Sequence, residues 1–246
     1  MTTPQEPQDP FTSPNVPLPP RAQQPPGAHE TPPHIVVSQP SAPTTLALWA
    51  TILTGAVAAL GLVSAVTAPG RLEETKAVLA DPENASPLAG QDPLGLISGP
   101  LLIASFVLLA LWMSRVRSAM TARGEVAGGP SAVEWWGWFV PLGNFVLPFL
   151  GMRGITRGKA GVGIVLGWWI TFCLYWVVSF ASVFPTFAAI DFSTGELANP
   201  SALDATVPIT WASALALAAS WAFLAMVIRQ TTAAEKAAAT AHGSVF

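Results

Sequence analysis

Charge, cysteine and histidine are all scarce in this chain, and each scarcity removes a class of function. Only 10% of its 246 residues are charged, where a soluble domain carries about 25%. A deficit of that size means that much of the surface faces something other than water. The net charge of −3 is too small to point to nucleic acid as a partner. Cys173 is the only cysteine, so an intrachain disulfide and a multi-cysteine metal site are both excluded. The three histidines, His29, His34 and His242, lie in the terminal segments, away from any packed core in which an imidazole would serve catalysis. No basic start runs at once into an apolar stretch, so no cleavable signal peptide is expected and the first apolar run reads as an uncleaved anchor.

What the chain has in abundance is apolar sequence, 51% of the total, with a mean hydropathy of +0.49. Four long uncharged runs stand out, at about residues 44–67, 93–114, 161–185 and 205–228. About 24 residues rise roughly 36 Å as a helix, enough to cross a hydrocarbon core of about 30 Å. Pro69-Gly70 is expected to close the first run, and Pro185 to end or kink the third. Small residues recur at four-residue spacing: Gly55/Ala59, Gly61/Ala65 and Gly163/Gly167, and in the fourth run Ala212, Ala216, Ser220 and Ala214, Ala218, Ala222. Such spacing lets helix backbones approach closely in lipid, and the two small faces of the fourth run suit the middle of a bundle.

The flanks are different in kind. Residues 1–43 hold 13 of the 24 prolines and are expected to form a disordered cytoplasmic tail with polyproline II character. Residues 230–246 are Ala-rich and are expected to be a cytoplasmic tail that extends the last helix before fraying. Asn84-Ala85-Ser86 matches a glycosylation sequon, with meaning only in a eukaryotic secretory pathway.

Residues 135–152 are also uncharged, but Pro141, Gly143 and Pro148 argue against a straight crossing helix. Charge separates the options, because Lys and Arg near span ends stay cytoplasmic. If the segment does not cross and the N-terminus is inside, Arg21, Arg115, Arg117, Arg123, Arg153, Arg157, Lys159, Arg229 and Lys236 are cytoplasmic, with only Arg71 and Lys76 outside. The best five-span arrangement gives 7 against 4. Four spans are therefore expected, with both termini cytoplasmic and 135–152 as an interfacial or re-entrant segment. Trp49, Trp112, Trp168 and Trp169 fall near the cytoplasmic ends of their spans, and Trp135, Trp136 and Trp138 are expected to join them in an aromatic belt, with Trp211 near the opposite face.

The least ordinary stretch is Trp136-Gly-Trp138-Phe-Val-Pro141-Leu-Gly-Asn144-Phe-Val-Leu-Pro148. Pro141 removes a donor, Gly143 permits a sharp turn, and Asn144 is placed to cap the half-helix that follows. Two uses fit: a Pro-broken interfacial helix, or a broken helix offering its dipoles to a ligand. Together with Trp112 and Arg115-Val-Arg117, this stretch resembles the actinobacterial membrane family called domain of unknown function 4328, over about residues 45–235. Where that family often has Asn after the Arg pair, this chain has Ser118-Ala119. The resemblance implies a membrane location and topology, and no known activity.

No acidic, basic or histidine residue falls inside the four runs, which argues against proton relays and charge-selective pores. No metal-ligand spacing, phosphate loop or nucleophile elbow is present. The fold expected is an all-α integral membrane protein with four transmembrane helices and a Pro-broken interfacial or re-entrant segment between the second and third. The function expected is that of a plasma-membrane component, non-enzymatic and without cofactor or metal, whose partners are the lipid bilayer and anionic lipid headgroups or another membrane protein. Its candidate interaction segment is Trp135, Trp136, Trp138, Pro141, Asn144 and Pro148, with Arg115, Arg117, Arg153, Arg157 and Lys159 as candidate contacts for lipid or partner. A small transporter or channel component for a neutral solute is the first alternative, and a subunit of a membrane enzyme complex the second.

Overall fold

Helices are what the composition demands, because in lipid a segment must satisfy its own backbone polar groups. The structure, a computed structural model, describes residues 42–81, 93–140, 143–194 and 196–243. The Pro-rich stretch to residue 41, the sequon at 84–86 and Pro141 lie outside the described residues. Four long helices, α1 (Thr44–Ala80), α2 (Pro93–Ala122), α5 (Val162–Ala181) and α7 (Thr206–Gly243), dominate. Between them stand the short helices α3 (Val133–Trp136), α4 (Leu147–Thr156) and α6 (Val183–Ala189), with 3-10 turns at Gly143–Phe145 and Pro200–Ala205. The chain is an all-α integral membrane protein, with four helical stretches long and apolar enough to cross a membrane, the third being α5 continued by α6.

Burial in the bundle does not follow polarity, as expected where the solvent is itself apolar. Ile52, Val66, Ile103, Ile170 and Phe180 face outward, while Ala50, Ala58 and Ala65 of α1 are buried. α7 packs along both α1 and α5, and α1 also along α2. This agrees with the two small faces of α7, on which Ala214, Ala216 and Ser220 are buried. Phe223 lies so close to Gly167 that a Cβ there would sit 2.8 Å from its ring, whereas Gly163 meets nothing within 4 Å. The expected pair of close-packing glycines thus reduces to one.

α2 and α5 scarcely touch directly; α3 and α4 stand between them at one end of the bundle. That end also carries Arg115, Arg117, Arg123, Arg153, Arg157 and Lys159, and is called the basic end below. The far end holds the loop turn Pro200–Ala205 and a pair between Lys76 and Asp204, 2.6 Å apart.

Several boundaries differ from the sequence expectation. α1 does not close at Pro69-Gly70 but continues to Ala80 with Pro69 inside it. Next to the proline, the Ser64 carbonyl accepts a bond from Arg71 Nη2 at 2.5 Å, and the Lys76–Asp204 pair ties the extra turns to the turn before α7. The third span breaks at Ser182, between α5 and α6. Pro185 has no N–H for the Ala181 carbonyl and its ring crowds that group, so the regular helix stops there, four residues upstream. Residues 230–243 continue α7 as helix, and Thr231, Thr232 and Glu235 are buried within the fold.

Candidate functional site

After α2 the chain turns back across the basic end. Gly124, Gly129 and Ala132 take left-handed backbone there, at φ 75°, 87° and 53°. α3 is a single turn. Trp138 then enters the space between α2 and α5. Its ring stacks on Phe106 with centroids 4.9 Å apart and meets Phe172 edge-on at 5.9 Å. Its indole N–H donates to the Glu134 carbonyl at 3.1 Å. Trp138 is thus a wedge rather than a belt residue. Trp112, Trp168 and Trp169 are likewise buried in the core, where the Trp112 N–H donates to Thr232 Oγ1 at 3.1 Å. Of the tryptophans expected at the basic interface, Trp49, Trp135 and Trp136 are the exposed ones.

The second half of the wedge is α4. Pro148 lies in its first turn, where a missing N–H forfeits no intrahelical bond, and is buried. Asn144 does not cap this helix. It lies in the turn Gly143–Phe145, and the cap position is held by Val146 with no side-chain bond. Asn144 falls two residues too early for its oxygen to reach the first free amides of α4, and its Oδ1 is buried without a hydrogen-bond partner. The loop from α2 crosses α4 at Gly154, where a Cβ would fall 1.9 Å from the Gly128 oxygen. Only glycine allows that crossing, which the Gly128 N–H secures by donating to the Gly154 carbonyl at 3.3 Å.

Two buried carboxylates organise the charges. Glu235, on α7, is 1% exposed and accepts from three donor atoms. Arg123 Nη1 and Nη2 approach it at 2.8 and 3.0 Å, and Lys159 Nζ at 2.5 Å. Arg123 also donates through Nε to Glu125 at 2.6 Å. The Glu235 and Glu125 carboxylates hold the Arg123 proton above the ordinary guanidinium range, against the opposing effect of burial. A lone buried carboxylate would cost several kcal/mol, roughly, to desolvate; two cations in hydrogen-bond contact offset that. The second pair is Arg117 with Glu134, Nε to Oε1 at 3.3 Å, and Arg117 Nη1 also reaches the Gly128 carbonyl at 3.4 Å. The bridge is one of charge more than of hydrogen bonding, since Arg117 Nε and Nη2 and Glu134 Oε2 are buried without a hydrogen-bond partner.

The sequence-predicted cations therefore separate into two sets. Arg117 and Lys159 turn inward to carboxylates, whereas Arg115, Arg153 and Arg157 are exposed. Trp135, Trp136, Phe139 and Leu150 are exposed on the same segment. Between α4 and the start of α5 lies a cavity of about 120 Å³, walled by Phe149, Arg153, Thr156, Arg157, Gly158 and Val162 among others. Two arginines and no carboxylate line it, so it suits an anion. Among the described residues no three His, Cys, Asp or Glu side chains gather as metal ligands do.

Residues 91–241, from just before α2 almost to the end of α7, match the family described as Domain of unknown function (DUF4328). The chain belongs to that family. The DUF4328 match leaves α1 outside, although the motif resemblance extended to about residue 45. No curated protein and no solved structure matches the chain. The wedge, its arginines and both buried carboxylates all lie inside the DUF4328 segment.

Sequence reasoning did not single out Glu134, Glu235 or Thr232. A signal for the two acids was present. Glu125 and Glu134 are the only acidic residues between Asp92 and Asp191, and Glu235 is the only one after Asp204. Isolated carboxylates among many cations are the groups most prone to be drawn into pairs.

Proposed function

We propose that this chain is a non-enzymatic component of the plasma membrane whose basic end lies on the cytoplasmic side and binds anionic lipid headgroups. The observation that carries the reading is the arginine-walled cavity between α4 and α5. A guanidinium presents paired N–H donors that match a phosphate, and Arg153 and Arg157 flank the same small space. Arg115 adds positive charge nearby. Each basic group near an anionic leaflet contributes on the order of 1 kcal/mol. Trp135, Trp136 and Phe139 bring apolar rings to the level at which such headgroups sit. Arg117 and Lys159 take part indirectly, by holding α3 and the α4–α5 link in place through Glu134 and Glu235.

The test is lipid retention. The purified full-length chain is placed in bilayer discs of phosphatidylcholine with and without phosphatidylglycerol, and retained lipid is identified by native mass spectrometry. Retention of phosphatidylglycerol is expected, weakened roughly thirtyfold when Arg153 and Arg157 are both changed to Ala, which corresponds to about 2 kcal/mol. Equal retention by the unaltered chain and the double variant would end the proposal. Recovery of a protein that stays bound to the double variant would place the partner elsewhere.

A further inference from the structure

The far half of the bundle has no wedge among the described residues. There a cavity of about 260 Å³ opens among α1, α2, α5 and α7. Its walls carry an unusual density of hydroxyl groups for a membrane interior: Ser64, Ser98, Tyr175, Ser179, Thr210 and Ser213. No charged residue lines it. Arg71 stands beside the wall and donates through Nη2 to Ser64 Oγ at 2.5 Å. Deeper in, a second cavity of about 50 Å³ is walled by Phe106, Leu109, Trp138, Phe172 and Trp221 among others. Both cavities share Val57 and Leu217, so they adjoin. The interior thus changes from hydroxyl-lined to aromatic on the way to the wedge, where Trp138 forms the floor.

The state of the hydroxyls says what they accept. Ser98 Oγ donates to the Gly95 carbonyl and Thr210 Oγ1 to the Thr206 carbonyl. Ser179 and Ser213 share one bond of 2.8 Å. Ser182 Oγ donates to the Ser179 carbonyl at 2.6 Å, and Ser64 Oγ accepts from Arg71 Nη2. A hydroxyl whose own proton is used presents only lone pairs, so Ser98, Ser182, Thr210 and one of the Ser179/Ser213 pair are acceptors only, while Ser64 and the other of that pair keep a proton. The Tyr175 hydroxyl makes no hydrogen bond among the described residues and has both a proton and lone pairs to offer. A ligand suited to this wall is uncharged and donates hydrogen bonds, as an alcohol does.

We infer that the cavity binds an uncharged amphiphile with a hydroxyl-bearing head, of the monoacylglycerol kind, from the leaflet at the far end. The head lies against Ser98, Tyr175, Ser179 and Ser213, and the first carbons of its tail against Val57 and Leu217. The polarity order of the cavity matches that of a leaflet lipid, with the polar groups near the helix ends and the apolar groups toward mid-bilayer. Because α2 and α5 scarcely touch, the tail would leave between them. An anionic head would meet only Arg71 behind the wall, whose Nη2 is already engaged by the Ser64 hydroxyl and carbonyl, and a free polyol would leave the aromatic floor unused. The inference is independent of the anionic-lipid reading of the basic end.

The test is a titration of the full-length chain in detergent, read by native mass spectrometry, with 1-monooleoylglycerol, oleate and glycerol as separate probes. Saturable binding of one monooleoylglycerol is expected, with oleate and glycerol at least tenfold weaker. Tyr175→Phe removes one hydroxyl and leaves the ring, and is expected to weaken binding roughly tenfold. Ser213→Leu fills the space and is expected to abolish it, with an unchanged elution volume showing an intact fold. Equal affinity for oleate would refute the head-group assignment. Preferential binding of glycerol would show that the source is water rather than the leaflet. No binding of monooleoylglycerol, or binding undiminished in both variants, would overturn the inference.

Discussion

Replacing Glu235 by Gln is the sharpest test of how the basic end is held. Gln keeps the volume and removes the charge. Arg123 and Lys159, whose side chains are only 7% and 13% exposed, would then share Glu125, which is 43% exposed. Removing one partner of a buried ion pair costs about 3–5 kcal/mol, most of it the penalty on the charge left behind. Glu125 remains 2.6 Å from Arg123 and 3.8 Å from Lys159, so the lower end, about 3 kcal/mol, is expected. The measurement is graded unfolding in mixed micelles, followed by the fluorescence of the buried Trp112 and Trp168. Combining Glu235→Gln with Arg123→Leu should cost less than the sum of the two, by about 1–3 kcal/mol, because the second change removes one of the two stranded cations and leaves Glu125 to Lys159. A loss below about 0.5 kcal/mol for Glu235→Gln, or strict additivity in the cycle, would refute the claim that this network is a buried clamp.

Other changes separate the remaining contributions. Gly154→Ala puts a methyl into the Gly128 backbone and is expected to destabilise by about 3 kcal/mol or more in the same unfolding assay, since neither backbone segment can retreat as a side chain would. Trp112→Phe keeps the aromatic packing but takes the donor from Thr232, with an expected loss of about 1–2 kcal/mol; no loss would show that bond to be incidental. Asp204→Asn removes the partner of Lys76 at the exposed far end, and no measurable shift of the unfolding midpoint is expected. A clear destabilisation there would mean that the last turns of α1 depend on that pair.

The bundle was legible because its signal is long and redundant. Four uncharged runs, each with polar flanks, leave little freedom in lipid. The small faces of α7 similarly foretold its central place between α1 and α5. What the sequence did not disclose depended on where helices end and which way side chains turn. Pro69 reads as a stop, yet α1 passes through it, because a proline's local penalty is finite and Arg71 bonds the Ser64 carbonyl beside the gap that the missing N–H leaves. Asn144 has the chemistry of a cap but sits two residues early, a distinction that only the actual start of α4 reveals. Trp112, Trp168 and Trp169 have the composition of an interfacial belt. Their burial follows from the wedge, which creates an interior at a level where a simple four-helix bundle would have a surface. The arginines were visible as a cluster; their division into buried and exposed sets depended on Glu134 and Glu235, which lie 101 positions apart in the chain and meet the cluster only in three dimensions.

That division would reconcile the two uses proposed for these residues, setting the orientation and binding headgroups. Orientation is decided during insertion, when every Lys and Arg near a span end carries its charge on an unpacked chain. Glu134 and Glu235 contribute little at that stage, since acidic residues weigh lightly in the rule. Once the helices pack, Arg117, Arg123 and Lys159 pass into ion pairs, and the exposed positive charge beside the wedge is that of Arg115, Arg153 and Arg157, with Arg229 and Lys236 exposed on α7. On the proposed reading, orientation and headgroup binding are thus separable. Glu235→Gln is expected to weaken the fold and leave orientation unchanged, because it removes no cation. Arg153→Ala with Arg157→Ala is expected to weaken headgroup binding and leave the buried clamp intact. Thiol labelling of a cysteine at position 158, beside Arg157 in the α4–α5 link, reports orientation in sealed vesicles. The same protected side in both variants is the expected result. An inverted or mixed orientation in Glu235→Gln would mean that the carboxylates act before folding, and that the two sets of charges cannot be treated apart.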